Sequence, residues 1–278
     1  MIDQYAVVGN PIAHSKSPDI HAAFARQVGH KLSYVRIEAP LADFVGVAEE
    51  FRQRGGVGMN VTAPFKLDAF SFATQRSTRA TLAGAANTLC FQLGANGPTI
   101  YADNTDGVGL VNDLRGNLAC ELTGQRILLL GAGGAARGVL GALIDAAPVR
   151  LAVANRHYDK AVELVQQIAG PICHPAVEAL ELAKLRDQQF DIVINATSAG
   201  LSAQSLDVST ACFAPHCLAY DMTYAKGVTP FLELAGRAGA IAVDGVGMLV
   251  EQAAESFFIW RGIRPDTRPV IAFIKAAL

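Results

Sequence analysis

Charge is scarce in this sequence. Asp, Glu, Lys and Arg make up 17% of the 278 residues, and 23 basic groups nearly balance 25 acidic ones. A formal net charge of −2 with no basic run gives no field of the kind that gathers nucleic acid or an anionic membrane. Long apolar runs are missing too. Gly, Asn or Asp interrupts each hydrophobic stretch before it could span a bilayer, and the opening Met1-Ile2-Asp3-Gln4 lacks the basic region of a signal peptide. The five cysteines (Cys90, Cys120, Cys173, Cys212, Cys217) are odd in number and scattered. Without a C-x-x-C pair or a His-flanked quartet they argue against a disulfide framework or a metal site. Free thiols in a reducing cytoplasm are the expectation.

Hydrophobic residues are plentiful, at 51% of the chain, which predicts a well-buried core. The length suggests about two domains, with one large α/β unit as the alternative. Up to about residue 106, strand-like runs at 5–9, 33–37, 57–61 and 88–92 alternate with helical spacing over 18–28 and 41–54, as in Ile20, Phe24 and Val28. A mostly parallel sheet covered by helices is expected there. A second series opens with the apolar run Arg126-Ile127-Leu128-Leu129-Leu130, suited to a strand buried on both faces. Strands are expected at 150–154, 191–195, 218–221 and 241–243, with helices over 135–144, 158–168 and 229–238. Residues 247–260 and 268–278 read as apolar helices. The prediction is an α/β chain of two lobes, with a ligand cleft between them.

The run Gly131-Ala132-Gly133-Gly134-Ala135-Ala136 follows a strand and opens a helix. It satisfies G-x-G-x-x-G/A: Gly131 permits the tight turn, Gly133 admits a pyrophosphate close to the backbone, and Ala136 is small enough for helix–strand packing. A glycine-rich turn without a ligand is the structural alternative. The next strand ends in Ala154-Asn155-Arg156-His157, followed by Lys160. An NAD site usually carries Asp or Glu there for the ribose hydroxyls. Here Arg156 and Lys160 favour a 2′-phosphate, hence NADP, unless they are merely the solvated start of a helix.

Other polar residues gather at element ends. Ser15 and Ser17 flank Lys16 just before a helix begun by Pro18. Ser17 reads equally as a helix cap or, with Ser15, as a carboxylate grip. Lys66 closes Asn60-Val61-Thr62-Ala63-Pro64-Phe65-Lys66 at a strand end. Asn87, Thr88 and Asn104-Thr105-Asp106-Gly107 add short polar side chains, and Asp106 could simply cap a helix starting near Val108. So many polar groups at strand ends of one lobe suit a ligand rich in hydroxyls.

Eight motifs stand in order along nearly the whole chain: GNPIAHSKSP at 9–18, NVTAPFK at 60–66, GAANT at 84–88, NTDGVG at 104–109, GAGGAAR at 131–137, NATSAG at 195–200, YDMTY at 220–224 and DGVGMLVEQ at 244–252. On these motifs the sequence closely resembles the shikimate/quinate dehydrogenase family, whose shikimate dehydrogenases reduce 3-dehydroshikimate with NADPH on the route to chorismate and aromatic amino acids. The resemblance implies an N-terminal substrate domain at 1–106, completed by helices returning at 247–278, and a Rossmann-type NADP domain at 107–246. It implies Lys66 and Asp106 as the catalytic pair. Ser15, Ser17 and Tyr224 would take the substrate carboxylate, and Thr62, Asn87 and Gln252 the ring hydroxyls. Gly131, Ala132, Gly133, Gly134 and Ala135 would lie at the pyrophosphate, Asn155, Arg156 and Lys160 near the 2′-phosphate, and Met222 and Gly245 near the nicotinamide. The partners implied are small molecules, with no metal. Oligomeric state stays open, a homodimer included.

Three positions depart from the usual pattern: His157 where Thr or Ser is common, Ala102 before NTDG, and Ser77-Thr78 in place of a more acidic stretch. The alternatives are a dual quinate/shikimate enzyme, against which Arg156 and Lys160 speak, a methylene-tetrahydrofolate dehydrogenase, which NVTAPFK does not suit, and a non-catalytic NADP sensor of the same fold.

Overall fold

The computed structural model describes residues 2–94, 97–170, 177–197, 208–225 and 227–278. Cys173 and the last three residues of the 195–200 motif lie outside them. The chain divides into two compact units: Met1–Gly109 with Val250–Ala277, and Leu110–Leu249 with Leu278.

The first unit is built from β1 (Asp3–Gly9), α1 (Ser17–Val28), β2 (Leu32–Glu38), α2 (Phe44–Gln53), β3 (Gly56–Val61), α3 (Lys66–Phe72), β4 (Gln75–Arg76), α4 (Thr78–Ala83), β5 (Thr88–Gly94), β6 (Gly97–Asp103) and α5 (Asp106–Asn112). Its sheet runs β2-β1-β3-β5-β6-β4. β1 pairs parallel with both β2 and β3, and its last five residues are buried, as a central strand requires. The sheet is more mixed than the alternation of strands and helices suggested. β5 is antiparallel to β3 and to β6, because β5 and β6 form a hairpin from Thr88↔Asp103 to Gly94↔Gly97. Val8, Phe44, Met59, Phe65 and Leu89 form its core.

The second unit continues from α5 through a widened helical turn at Asp113–Asn117 into β7 (Arg126–Leu130), α6 (Gly134–Asp145), β8 (Arg150–Ala154), α7 (Tyr158–Ile168), β9 (Val177–Leu180), β10 (Phe190–Asn195), β11 (Phe213–Asp221), α8 (Pro230–Arg237) and β12 (Ile241–Val243). Its six strands are all parallel in the order β12-β11-β10-β7-β8-β9. From β7 the chain winds outward to β9, then returns to β10 on the other side. That reversal between β7 and β10 is the doubly wound topology, whose ligands bind beyond the carboxyl ends of the strands at the switch point. Leu128, Leu130, Val193, Phe213 and Phe231 fill the core beside the sheet.

α9 (Val246–Arg261) and α10 (Arg268–Ala276) close the chain. From Val250 to Ala277 they belong to the first unit. Trp260 Nε1 donates to the Leu89 carbonyl at 2.9 Å, and Gln27 binds the backbone of Asp266. Among the described residues no helix is long and apolar enough to cross a membrane. Cys90, Cys120, Cys212 and Cys217 are free thiols, and burial pushes Cys212 up to about 11 and Cys217 to about 12, so neither is a ready nucleophile.

Candidate active site

Lys66 opens α3 just past the end of β3, and Asp106 opens α5 just past β6. Forty residues apart in sequence, they meet as Lys66 Nζ to Asp106 Oδ2 at 2.5 Å, with side chains 19% and 8% exposed. Asp106 therefore does more than cap a helix. Its other oxygen accepts from Asn87 Nδ2 at 2.8 Å.

Asn87 has one allowed orientation. The Thr105 backbone N–H, which can only donate, points at Asn87 Oδ1 at 2.9 Å, and this turns the amide nitrogen toward Asp106. The same nitrogen reaches Thr105 Oγ1 at 2.9 Å and Gln252 Oε1 at 3.2 Å. Gln252 is thereby held by its oxygen end. Gly109 makes its approach feasible: a methyl group at that position would lie 2.6 Å from Gln252 Cβ and 2.7 Å from its backbone nitrogen. Lys66, Asp106, Asn87 and Gln252 thus come together within the first unit.

Residues that sequence reasoning did not single out stand behind this group. Asn60 Nδ2 donates to the Asn87 carbonyl, Thr88 Oγ1 and Ser256 Oγ, and Asn60 Oδ1 accepts from the Tyr34 hydroxyl at 2.7 Å. Asn60 and Thr105 were visible inside quoted motifs. Tyr34 and Ser256 carry no local signal, because their partners lie 26 and 196 residues away. Thr62 follows β3, its backbone N–H bound to Val8 O and its methyl pressed on Gly9. Its side chain makes no hydrogen bond to Lys66, Asp106, Asn87 or Gln252.

Ser15 and Ser17 are both buried, and Ser15 Oγ lies 3.2 Å from Ser17 Oγ. The capping expectation for Ser17 is not met. α1 begins at Ser17, the preceding Lys16 supplies no side-chain cap, and Ser15 Oγ accepts from the Ser17 backbone N–H at 3.3 Å. Two buried, mutually bonded hydroxyls thus stand together beside a helix start, a place where an anion can be held. Tyr224, expected with them, belongs to the second unit.

In the second unit the glycine turn lies at the switch point. Gly131 has φ +110° and donates its N–H to the Ala154 carbonyl at 2.8 Å, while Ala196 N–H binds the Leu130 carbonyl. A side chain at Gly131 would press on the Ala196 backbone, so protein packing alone demands glycine there. Gly133 and Gly134 differ. A methyl group on either would meet no neighbouring atom of the described residues within 4 Å, so close approach of a ligand to the backbone is the better reason for glycine, and the residues fit a dinucleotide pyrophosphate. Ala132 and Ala135 are half-buried alongside, and Ala136 is fully buried against the sheet. At the end of β8, Asn155 Nδ2 binds the His157 carbonyl at 2.9 Å, and Arg156 and Lys160 are exposed beside the start of α7.

Met222 and Gly245 are also brought together. Met222 N–H binds the Asn195 carbonyl, Gly245 N–H binds the Thr223 carbonyl, and a side chain on Gly245 would overlap Met222 O. Beneath them Asp221 is fully buried and accepts from Thr229 Oγ1 at 2.5 Å, Thr223 N at 3.0 Å and Asn195 Nδ2 at 3.1 Å. Burial raises its pKa, and these donors partly offset that. Among the described residues no cluster of His, Cys, Asp or Glu is placed to hold a metal ion.

Comparison with known proteins decides the family. Residues 7–89 match the shikimate dehydrogenase substrate binding domain, 114–216 match shikimate/quinate 5-dehydrogenase, and 245–272 match the shikimate 5′-dehydrogenase C-terminal domain. A shikimate dehydrogenase (NADP(+)) of Methylobacillus flagellatus is 51% identical over 99% of this chain and 100% of its own. The chain belongs to the shikimate dehydrogenase family. Among solved structures, an Ael1 enzyme from Pseudomonas putida is 48% identical with a TM-score of 0.89, covering 97% of each chain. Shikimate 5-dehydrogenase of Thermus thermophilus, solved in complex with NADP(H) and shikimate, is 31% identical with a TM-score of 0.87 over the full length of both. The family's two-part α/β fold is the one described above.

Proposed function

We propose that this chain catalyses the NADPH-dependent, reversible reduction of 3-dehydroshikimate to shikimate, with the first unit binding the substrate and the second the cofactor. The observation that carries the mechanism is the 2.5 Å contact between Lys66 and Asp106, held in place by Asn87. Bound NADPH supplies the hydride. As the substrate carbonyl gains electrons its oxygen takes on alkoxide character, which a positively charged donor stabilises. Lys66 provides that donor and passes a proton to the oxygen in reduction, taking it back in oxidation. Asp106 fixes the direction of Lys66, and Asn87 fixes Asp106.

Asn87, Gln252 and Thr62 bind ring hydroxyls, while Ser15 and Ser17, with Tyr224, bind the carboxylate. In the second unit, the backbone of Gly131, Ala132, Gly133, Gly134 and Ala135 holds the pyrophosphate at the start of α6. Asn155, Arg156 and Lys160 bind the 2′-phosphate, and Met222 and Gly245 border the nicotinamide. The absence of an acidic residue at the end of β8 supports NADP over NAD. A cytoplasmic setting accords with the free cysteines.

The test is to follow NADPH or NADH formation with shikimate and with quinate, each against NADP+ and NAD+. Turnover with shikimate and NADP+ is the expected result. Comparable turnover of quinate would favour a dual enzyme, and NADPH binding without any turnover would favour a sensor.

A further inference from the structure

The groups assigned to the substrate carboxylate within the first unit, Ser15 and Ser17, are neutral. A carboxylate held by two hydroxyls gains much more when a cation stands behind them. On β2, residues two apart share one face, and Tyr34 and Arg36 are such a pair. The Tyr34 hydroxyl donates to Asn60 Oδ1 at 2.7 Å. Arg36 grips the Ser15 carbonyl with two bonds, Nε at 2.8 Å and Nη2 at 2.6 Å. Every polar group of Ser15 is then engaged: its N–H binds the Ile12 carbonyl, its carbonyl binds Arg36, and its hydroxyl meets the Ser17 N–H and Oγ.

We infer that Arg36 is a positioning and specificity-determining residue for a carboxylate-bearing substrate. It locks the Ser15 backbone so that the hydroxyl faces Ser17, and it holds a permanent positive charge against the Ser15 carbonyl. Guanidinium suits this better than ammonium, because its planar fork makes both bonds to one oxygen while keeping its charge. Asp19 opposes it, with Oδ2 at 3.8 Å from Arg36 Nη2, and so trims the field at the serines. The inference rests on the reading of Ser15 and Ser17 as the carboxylate site.

The experiment compares the KM for shikimate with the inhibition constant of its methyl ester, which lacks the charge. Arg36→Met is expected to raise the shikimate KM about tenfold, with kcat within about twofold, and to leave the ester's inhibition constant and the KM for NADP+ unchanged. Arg36→Lys, which keeps charge but loses the fork, falls between. Asp19→Asn, at an exposed position, lowers the shikimate KM about twofold, an opposite-sign result that no folding defect would mimic. Equal losses for acid and ester, or an unchanged shikimate KM in Arg36→Met, would overturn the inference. Ser15→Ala and Ser17→Ala separate the layers. If they raise the shikimate KM while Arg36→Met does not, only the role of Arg36 falls. If none of the three changes it, the carboxylate site itself is misplaced.

Discussion

In the first unit the candidate reacting groups are buried and bonded to one another, whereas in the second the candidate cofactor groups are largely exposed or are bare backbone. Asp106, Asn87, Thr105 and Asn60 are all nearly inaccessible, and each hydrogen bond among them fixes the orientation of the next. Gly133, Gly134, Arg156 and Lys160 stand in the open. The difference follows the two tasks proposed for these groups. A proton must be delivered to one atom within a few tenths of an ångström, which calls for a preorganised network. A pyrophosphate and a 2′-phosphate carry enough charge to be held by helix N–H groups and solvated cations.

Four substitutions would sharpen or break that contrast. Lys66→Ala is expected to lower kcat by on the order of 10²–10⁴-fold, the range for losing general acid–base help, with little change in NADP+ affinity. Near-normal kcat in the purified variant would remove Lys66 from the chemistry. Arg156→Ala, on the exposed side, should weaken NADP+ by about 10–100-fold, roughly 1.5–3 kcal/mol for a charge-assisted bond, and leave NAD+ nearly untouched. Equal loss of both cofactors would show that Arg156 does not read the phosphate. Gly109→Ala forces a methyl group against the backbone of Gln252. A drop in kcat/KM of about tenfold, with about 1–3 kcal/mol of lost stability, is the expected cost of that overlap. Full activity would mean that Gln252 need not sit where it does.

The smallest effect concerns His21. It is fully buried, stacked on Tyr34 at 4.4 Å, and neither ring nitrogen makes a hydrogen bond, although Asn60 approaches. Burial lowers its pKa to about 3. Below an unfolded value near 6.5 the unfolded chain binds a proton that the native chain refuses, so stability falls as pH drops from about 6.5 toward 3. Between pH 7 and pH 5 this single group should remove on the order of 2 kcal/mol, and His21→Phe should abolish that part of the slope in urea unfolding. An unchanged slope in the variant would show that His21 titrates normally.

How well the sequence foretold each unit follows from the same contrast. In the second unit β7, β8, α7 and β12 begin and end at the residues expected from the pattern, because apolar runs punctuated by Gly, Asn and Asp need only local reading. β9 went unseen. It is a four-residue edge strand with little burial and no apolar run to announce it. In the first unit α3, α4, β4 and β6 were also missed. They are short, and the pairing of β6 with β5 rests on a hairpin rather than on a crossover. The glycine turn was legible because its mechanism is written in consecutive residues. The meeting of Lys66 with Asp106 was legible only through resemblance, and the support from Tyr34, Arg36 and Ser256 was not legible at all, since those contacts form only when distant strands and helices pack.

Completion of the first unit depends on α9 and α10, far along the chain from the groups they support. Asn60 bonds Ser256, Leu89 receives the indole of Trp260, and Asn87 reaches Gln252, all across more than 160 positions of chain. A nascent polypeptide that has emerged only as far as Leu249 holds the lysine and its aspartate but none of these three partners. The glycine turn is complete at that point, whereas Asn60, Leu89 and Asn87 still await Ser256, Trp260 and Gln252.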